Sequence, residues 1–369
     1  MRNKITLSFL TLASILVMSG CSSSTLSPDM AFKESINKTF DAKGYNYSGE
    51  VKLDKFSSND FNSSEPFNSK KIESLLKGFS LNFNGAVDSA NGKEEITYEY
   101  KYDKDNVLLA FKFPVLIDYN TQNIYVGKSI LNTFLPEAPE YQNKLIKLDL
   151  SKNSQLLKDL NMTADKSTNL DRFLSKEWNE KMTKEGMESF NLALKDINAS
   201  SFSRDDKNQI VLKLNNEESG KFLTTMINRL MGGAMKEVFP PSEAKDLESI
   251  APMIEMMMAM FKTQTQFTTK LNGDGKIGNI YVRFDMSDAN NTDFNVGVSS
   301  NVEFSNFDKP KFTIDTSMPT VSIDKQFFEK MYPSTKSDYK DDYAFEKPTA
   351  TTAKPVKKKG SSKRKKSKK

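Results

Sequence analysis

Apolar and polar residues alternate with a period of two over long stretches of this chain. In YNYSGEVKL, Tyr45, Tyr47, Val51 and Leu53 alternate with Asn46, Ser48, Glu50 and Lys52. The same pattern sets out Phe79, Leu81, Phe83 and Val87, then Ile96, Tyr98, Tyr100 and Tyr102, then Val107, Leu109, Phe111 and Phe113. Polar turns such as SANGK and DKDN separate these runs, so the spacing predicts an antiparallel meander with one apolar and one wet face. IKLDL, ending at Leu150, is expected to add a strand. A period near four appears earlier, where Phe32, Ile36 and Phe40 predict a helix over 29–43.

A helical middle is expected from Ser167 through LDRFLSKEWNEKM and MESFNLALKDI, which holds the sole tryptophan, Trp178. ASSFSRDDKNQIVLKL reads as a hairpin turning at 205–208. Asn215 is placed to cap a helix carrying Phe222, Met226, Ile227, Leu230 and Met231, with Gly232 and Gly233 at its end. Pro240 and Pro241 interrupt helix before Ser242. Strands return from Gln264, with NGDGKIGN as a hairpin turn, and continue through DFNVGVSSNVEF and KFTIDT; a short helix over 324–331 ends the fold.

This order predicts an α+β fold in which helices cover the apolar face of a twisted antiparallel sheet. In outline it resembles the half-barrel lipoproteins and carriers of the LolA, LolB and LppX type. That resemblance implies a curved sheet wrapped on helices around an apolar cavity, and carries no functional residue with it. The body spans 29–332, leaving room for two lobes at 29–150 and 198–332 around the helical middle.

Composition changes the picture chiefly at the ends. Arg2 and Lys4 precede fourteen uncharged residues, 5–18, then Ser19, Gly20 and Cys21. The run is shorter than the roughly 18 to 20 residues of a spanning helix, so 1–20 reads as a removable signal peptide. Met18-Ser19-Gly20-Cys21 resembles a bacterial lipobox, with Met18 where leucine is usual. The resemblance implies a diacylglyceryl group on the Cys21 thiol and a further acyl chain, such as palmitate, on its new amino group. Several chains make a lasting anchor where one does not. Ser22 in place of aspartate implies, by the same resemblance, the outer membrane; 21–28 is then a tether.

The chain has no histidine and one cysteine. Ser-His-Asp and Cys-His catalysis and the usual zinc sites are therefore excluded, and no phosphate-binding or nucleophile-elbow motif is present. Ser-x-x-Lys at Ser35/Lys38 and Ser74/Lys77 lacks a Lys-Thr-Gly partner. The pairs Glu94/Glu95 and Asp205/Asp206 lie in polar stretches and read as solvated charges. NGDGKIGN lacks the carboxylate ladder of a calcium loop. No catalytic residue, metal or cofactor is expected.

Eight of the seventeen methionines fall between residues 226 and 260. Met226, Met231, Met235, Met253, Met256, Met257 and Met260, with Phe261, are the candidate lining of an apolar cavity, because methionine adapts to irregular apolar surfaces. Plain core packing and thioether ligation of Cu(I) are the competing readings.

Residues 354–369 carry ten lysines or arginines and no acid. Without them and the signal, 41 basic residues face 48 acids, so charge is segregated between an acidic body and a cationic tail. Residues 333–369 read as a linker with a disordered basic tail. Lys357, Lys358, Lys359, Lys363, Arg364, Lys365, Lys366, Lys368 and Lys369 are the candidate polyanion contacts. In an exported protein chromosomal DNA is out of reach, which leaves peptidoglycan or lipopolysaccharide; a terminal lysine also resembles the peptidoglycan-linked residue of some outer-membrane lipoproteins.

Together these features predict a non-enzymatic outer-membrane lipoprotein that binds an apolar ligand, a lipid or a protein partner and touches an anionic envelope polymer through its tail. Two other readings stay open: a structural lipoprotein linking outer membrane to peptidoglycan with no cavity, and a carboxylate-based cell-wall hydrolase.

Overall fold

The computed structural model describes residues 26–58, 69–104, 106–130, 143–151, 154, 174–233, 252–253, 256, 260–288 and 294–322. The expected signal segment, Cys21, Pro240, Pro241, the helix expected over 324–331 and the basic tail lie outside them. The fold is α+β, dominated by one large, open, curved antiparallel sheet with few helices.

Twelve strands form it: β1 (Gly44–Ser58), β2 (Phe79–Asp88), β3 (Lys93–Lys104), β4 (Val107–Asp118), β5 (Asn123–Val126), β6 (Leu145–Asp149), β7 (Phe202–Arg204), β8 (Ile210–Leu214), β9 (Phe261–Leu271), β10 (Ile277–Asp288), β11 (Phe294–Ser305) and β12 (Thr320–Ser322). Their spatial order is β12-β6-β5-β4-β3-β2-β1-β11-β10-β9-β8-β7. Every pairing is antiparallel except the parallel β12–β6 contact. Two meanders therefore meet at β1, which pairs with β2 on one side and with β11 on the other, from Asn46↔Ser305 to Ser58↔Phe294. Strands from both of the expected lobe ranges share this one sheet.

Four α-helices lie wholly within the described residues: α1 (Pro28–Phe40), α2 (Ser69–Lys77), α3 (Lys176–Lys195) and α4 (Asn216–Gly232). None is long and apolar enough to cross a membrane, which says nothing of crossing by strands. Local chemistry sets their starts. The Ser175 side chain accepts from Trp178 N, and Asn215 forms a full capping box with Glu218. α1, α3 and α4 pack on the β7–β11 half of the sheet. Phe32 lies at the middle of that core, its ring centroid 6.4 Å from Phe190, 5.7 Å from Phe202 and 6.3 Å from Phe267. Each such fully buried ring contributes about 1.5 to 3 kcal/mol. α2, absent from the sequence reading, joins β1 to β2.

The hairpin at 272–276 is as expected: Asn272 Oδ1 accepts from Asp274 N and Lys276 N, and Gly275 takes a φ of 102°. KFTIDT is a correction. It forms no strand but part of a strap, residues 306–319, that crosses the polar face from β11 to β12. Alternation made it look like a strand; its backbone instead pairs with side chains of the strands beneath. Asn46 Oδ1 accepts from Lys311 N at 2.8 Å, and Asn46 Nδ2 donates to Lys311 O at 2.7 Å. The Glu95 carboxylate accepts from Thr313 N at 2.8 Å, from Ile314 N at 2.9 Å and from Thr313 Oγ1.

Candidate functional site

Cross-strand register sets the site. Tyr47 stands opposite Gly85, which stands opposite Ile96; Phe83 stands opposite Tyr98, and Tyr98 opposite Phe113. Leu81, Tyr100 and Phe111 form the next row, and Phe79, Tyr102 and Leu109 the row beyond. Because opposed residues share a face, all the apolar runs read from the sequence point to one side of the sheet. The β7–β11 half of that side is sealed by the helices. Over β2–β4 it is open at its far end, where Phe79, Tyr100 and Leu109 are exposed, Leu109 by 64%.

Two glycines let aromatic rings lie flat on this face. A Cβ on Gly85 would sit 2.6 Å from the Tyr47 ring and hydroxyl and would run into the Glu95 carbonyl oxygen; one on Gly49 would sit 2.7 Å from Phe83. Tyr47 thus reaches across β2 and donates its hydroxyl to Glu95 O at 3.2 Å. Its ring centroid is 6.2 Å from both Tyr45 and Phe83.

Within β2–β6 the apolar face carries two charged side-chain types, one at each end of β3. Lys104 closes the far end, its Nζ donating to Ser74 O at 2.7 Å on α2. Glu94 stands at the near end between Val87 and Ile117. Tyr119 donates its hydroxyl to Glu94 Oε2 at 2.9 Å. Glu94 is densely enclosed by protein yet keeps part of its surface. Burial holds its carboxyl above the ordinary range, partly offset by the Tyr119 hydrogen bond. Tyr45, Tyr47 and Tyr119 are all pushed well above the usual phenol range, first by burial and then by the nearby Glu94 charge. Tyr98 is pushed up to about 12 for the same two reasons.

The expectation that Glu94 and Glu95 are solvated is thus overturned. Neighbouring strand residues point to opposite faces, so Glu94 enters the aromatic row, while Glu95, 1% exposed, anchors the strap on the other side. The available signal was that Glu94 stands two residues before the Ile96-Tyr98-Tyr100-Tyr102 series.

The methionine candidates among the described residues do not form one buried lining. Met226 is buried in the helix-covered core with Phe222 and Leu230. Met253, Met256 and Met260 are exposed. Phe261 opens β9, its ring centroid 5.3 Å from Phe294. The Met231 side chain, Met235, Met257 and the tail cations lie outside the described residues. Among the described residues no group of three or more acidic, cysteine or histidine side chains is gathered around a metal-sized space. A shallow polar depression of about 290 Å³ on the strap side, lined by Ser48, Glu50, Asn82, Asn84, Asn301 and Glu303 among others, is wide open. Its Glu50 is already paired with Lys52 at 2.6 Å.

No protein-family model matches the sequence, and no curated protein matches it either.

Proposed function

We propose that this chain is a non-enzymatic outer-membrane lipoprotein whose half-barrel sheet receives an apolar ligand on the aromatic face of β2–β4. One observation carries the reading: a continuous apolar face spans the sheet, the helices seal its β7–β11 half, and Phe79, Tyr100 and Leu109 stay exposed on the other. Contiguous exposed apolar surface on a folded chain marks a place where something binds. Cys21 in its lipobox-like setting would hold the body at a membrane, and the tail 354–369 would contact an anionic envelope polymer.

The test is native mass spectrometry of the full chain carrying Cys21→Ser, purified under mild conditions. A reproducible, stoichiometric apolar adduct that is lost when Phe83 and Phe111 are replaced by serine supports the reading. A bare mass, unchanged after incubation with envelope lipids, refutes it and favours a structural lipoprotein.

A further inference from the structure

Among the described residues Glu94 is a carboxyl group without a counter-ion in an aromatic setting. Its opposed neighbours are Val87 and Ile117, and the tyrosines around it are Tyr45 and Tyr47 from β1, Tyr98 from β3 and Tyr119 from the β4–β5 turn. The charged groups of the adjoining elements are turned to other partners. Lys93 and Asp118 pair with each other on the strap side at 3.8 Å, and Lys176 at the start of α3 donates to Ala90 O at 3.1 Å. A partly buried carboxylate lacking a cation is costly, and burial accordingly holds the Glu94 carboxyl above the ordinary range. A ligand ammonium would supply the missing charge, and the faces of tyrosine rings attract a cation besides. Among the described residues phosphate or carboxylate would find only phenol hydroxyls as side-chain donors beside Glu94, and would oppose its charge. From Glu94 the aromatic rows run to Tyr102, about 26 Å at the usual rise per strand residue, so an apolar tail attached to the head would lie along them.

We infer that Glu94, with Tyr47, Tyr98 and Tyr119, forms a head-group site for the ammonium of a cationic amphiphile whose tail occupies the aromatic face. The inference rests on the reading proposed above and names the ligand class for the same face.

Isothermal calorimetry on the full chain with Cys21→Ser tests it, using dodecylammonium, dodecanol and dodecanoate at monomeric concentrations. Dodecylammonium is expected to bind about tenfold more tightly than either of the others, as a desolvated cation-π contact plus a carboxylate partner implies. Glu94→Gln should abolish that preference, whereas Gly220→Ala, on α4 away from the aromatic face of β2–β4, should retain it. The preference should also fade as pH falls and Glu94 takes up its proton. Equal affinity for the three heads, or a preference that survives Glu94→Gln, overturns the head-group site and leaves the apolar face standing. Failure of all three to bind overturns the face itself and the site with it.

Discussion

Replacing Glu95 tests how the strap is held. The side chain is buried and its two oxygens accept three donors: Thr313 N, Ile314 N and Thr313 Oγ1. Hydrogen bonds to a charged acceptor are worth about 1.5 to 3 kcal/mol each, so a strap kept in place over an alanine would lose about 5 kcal/mol or more. The strap need not stay in place. It is tied elsewhere by Asn46 to Lys311, by Asp308 to Lys43 N and Lys276, and by β12 to β6. Local release would rehydrate the freed amides and cap the loss, so Glu95→Ala is expected to cost about 3 kcal/mol. Glu95→Gln keeps one acceptor oxygen but turns an N–H₂ toward the amides, and should cost about half as much. Urea denaturation measures the loss, and hydrogen exchange locates it: Thr313 and Ile314 should lose protection while Ile96 and Tyr98, inside β3, keep theirs. Unchanged exchange at Thr313 and Ile314 in Glu95→Ala would refute the account of the strap.

Two further outcomes follow from the same geometry and a third from the charge of the tail. Because Glu94 has a raised folded-state pKa, its unfolded form releases the proton first as pH rises, so its stabilising contribution is complete below about pH 4 and declines through the folded pKa. Glu94→Gln should therefore stabilise the protein at pH 8 and be nearly neutral at pH 4; denaturation midpoints that move the opposite way at pH 8 contradict this. Gly85→Ala puts a methyl against the Glu95 carbonyl oxygen and the Tyr47 ring and should cost about 3 kcal/mol, while Gly220→Ala, with nothing within 4 Å, should be neutral or slightly stabilising in thermal melts. Deleting 354–369 should abolish salt-sensitive binding to isolated sacculi or lipopolysaccharide without shifting the melting temperature; binding that persists at low salt removes the tail from that role.

The parts of the fold that were readable from the sequence are those whose evidence is local. Period-two alternation placed Tyr45, Phe83, Tyr98 and Phe111 on one face, and the Asn215 cap lay three residues from its Glu218 partner. What could not be read depends on contacts between distant residues. Nothing near Lys311 or Thr313 says that Asn46 and Glu95, more than two hundred residues earlier, will take their amides, so Phe312 and Ile314 passed for a strand. The pairing of β1 with β11, which makes one sheet of two meanders, joins residues separated by a similar distance. The methionine density pointed to 226–261, but density alone cannot say which side of a helix meets a core: Met226 is buried while Met253, Met256 and Met260 are exposed.

Glu94 and Glu95 join these two kinds of information. Read as a pair they resemble surface charge, because most carboxylates are solvated. Read with the strand's period they must separate, one to each face, and the sheet has a different use for each. On the strap side burial of Glu95 is met by donors the chain supplies for itself, so its role is complete within the fold. On the aromatic side Glu94 has, among the described residues, a single phenol donor and no cation. The proposed head-group site rests on this contrast between adjacent residues of identical chemistry.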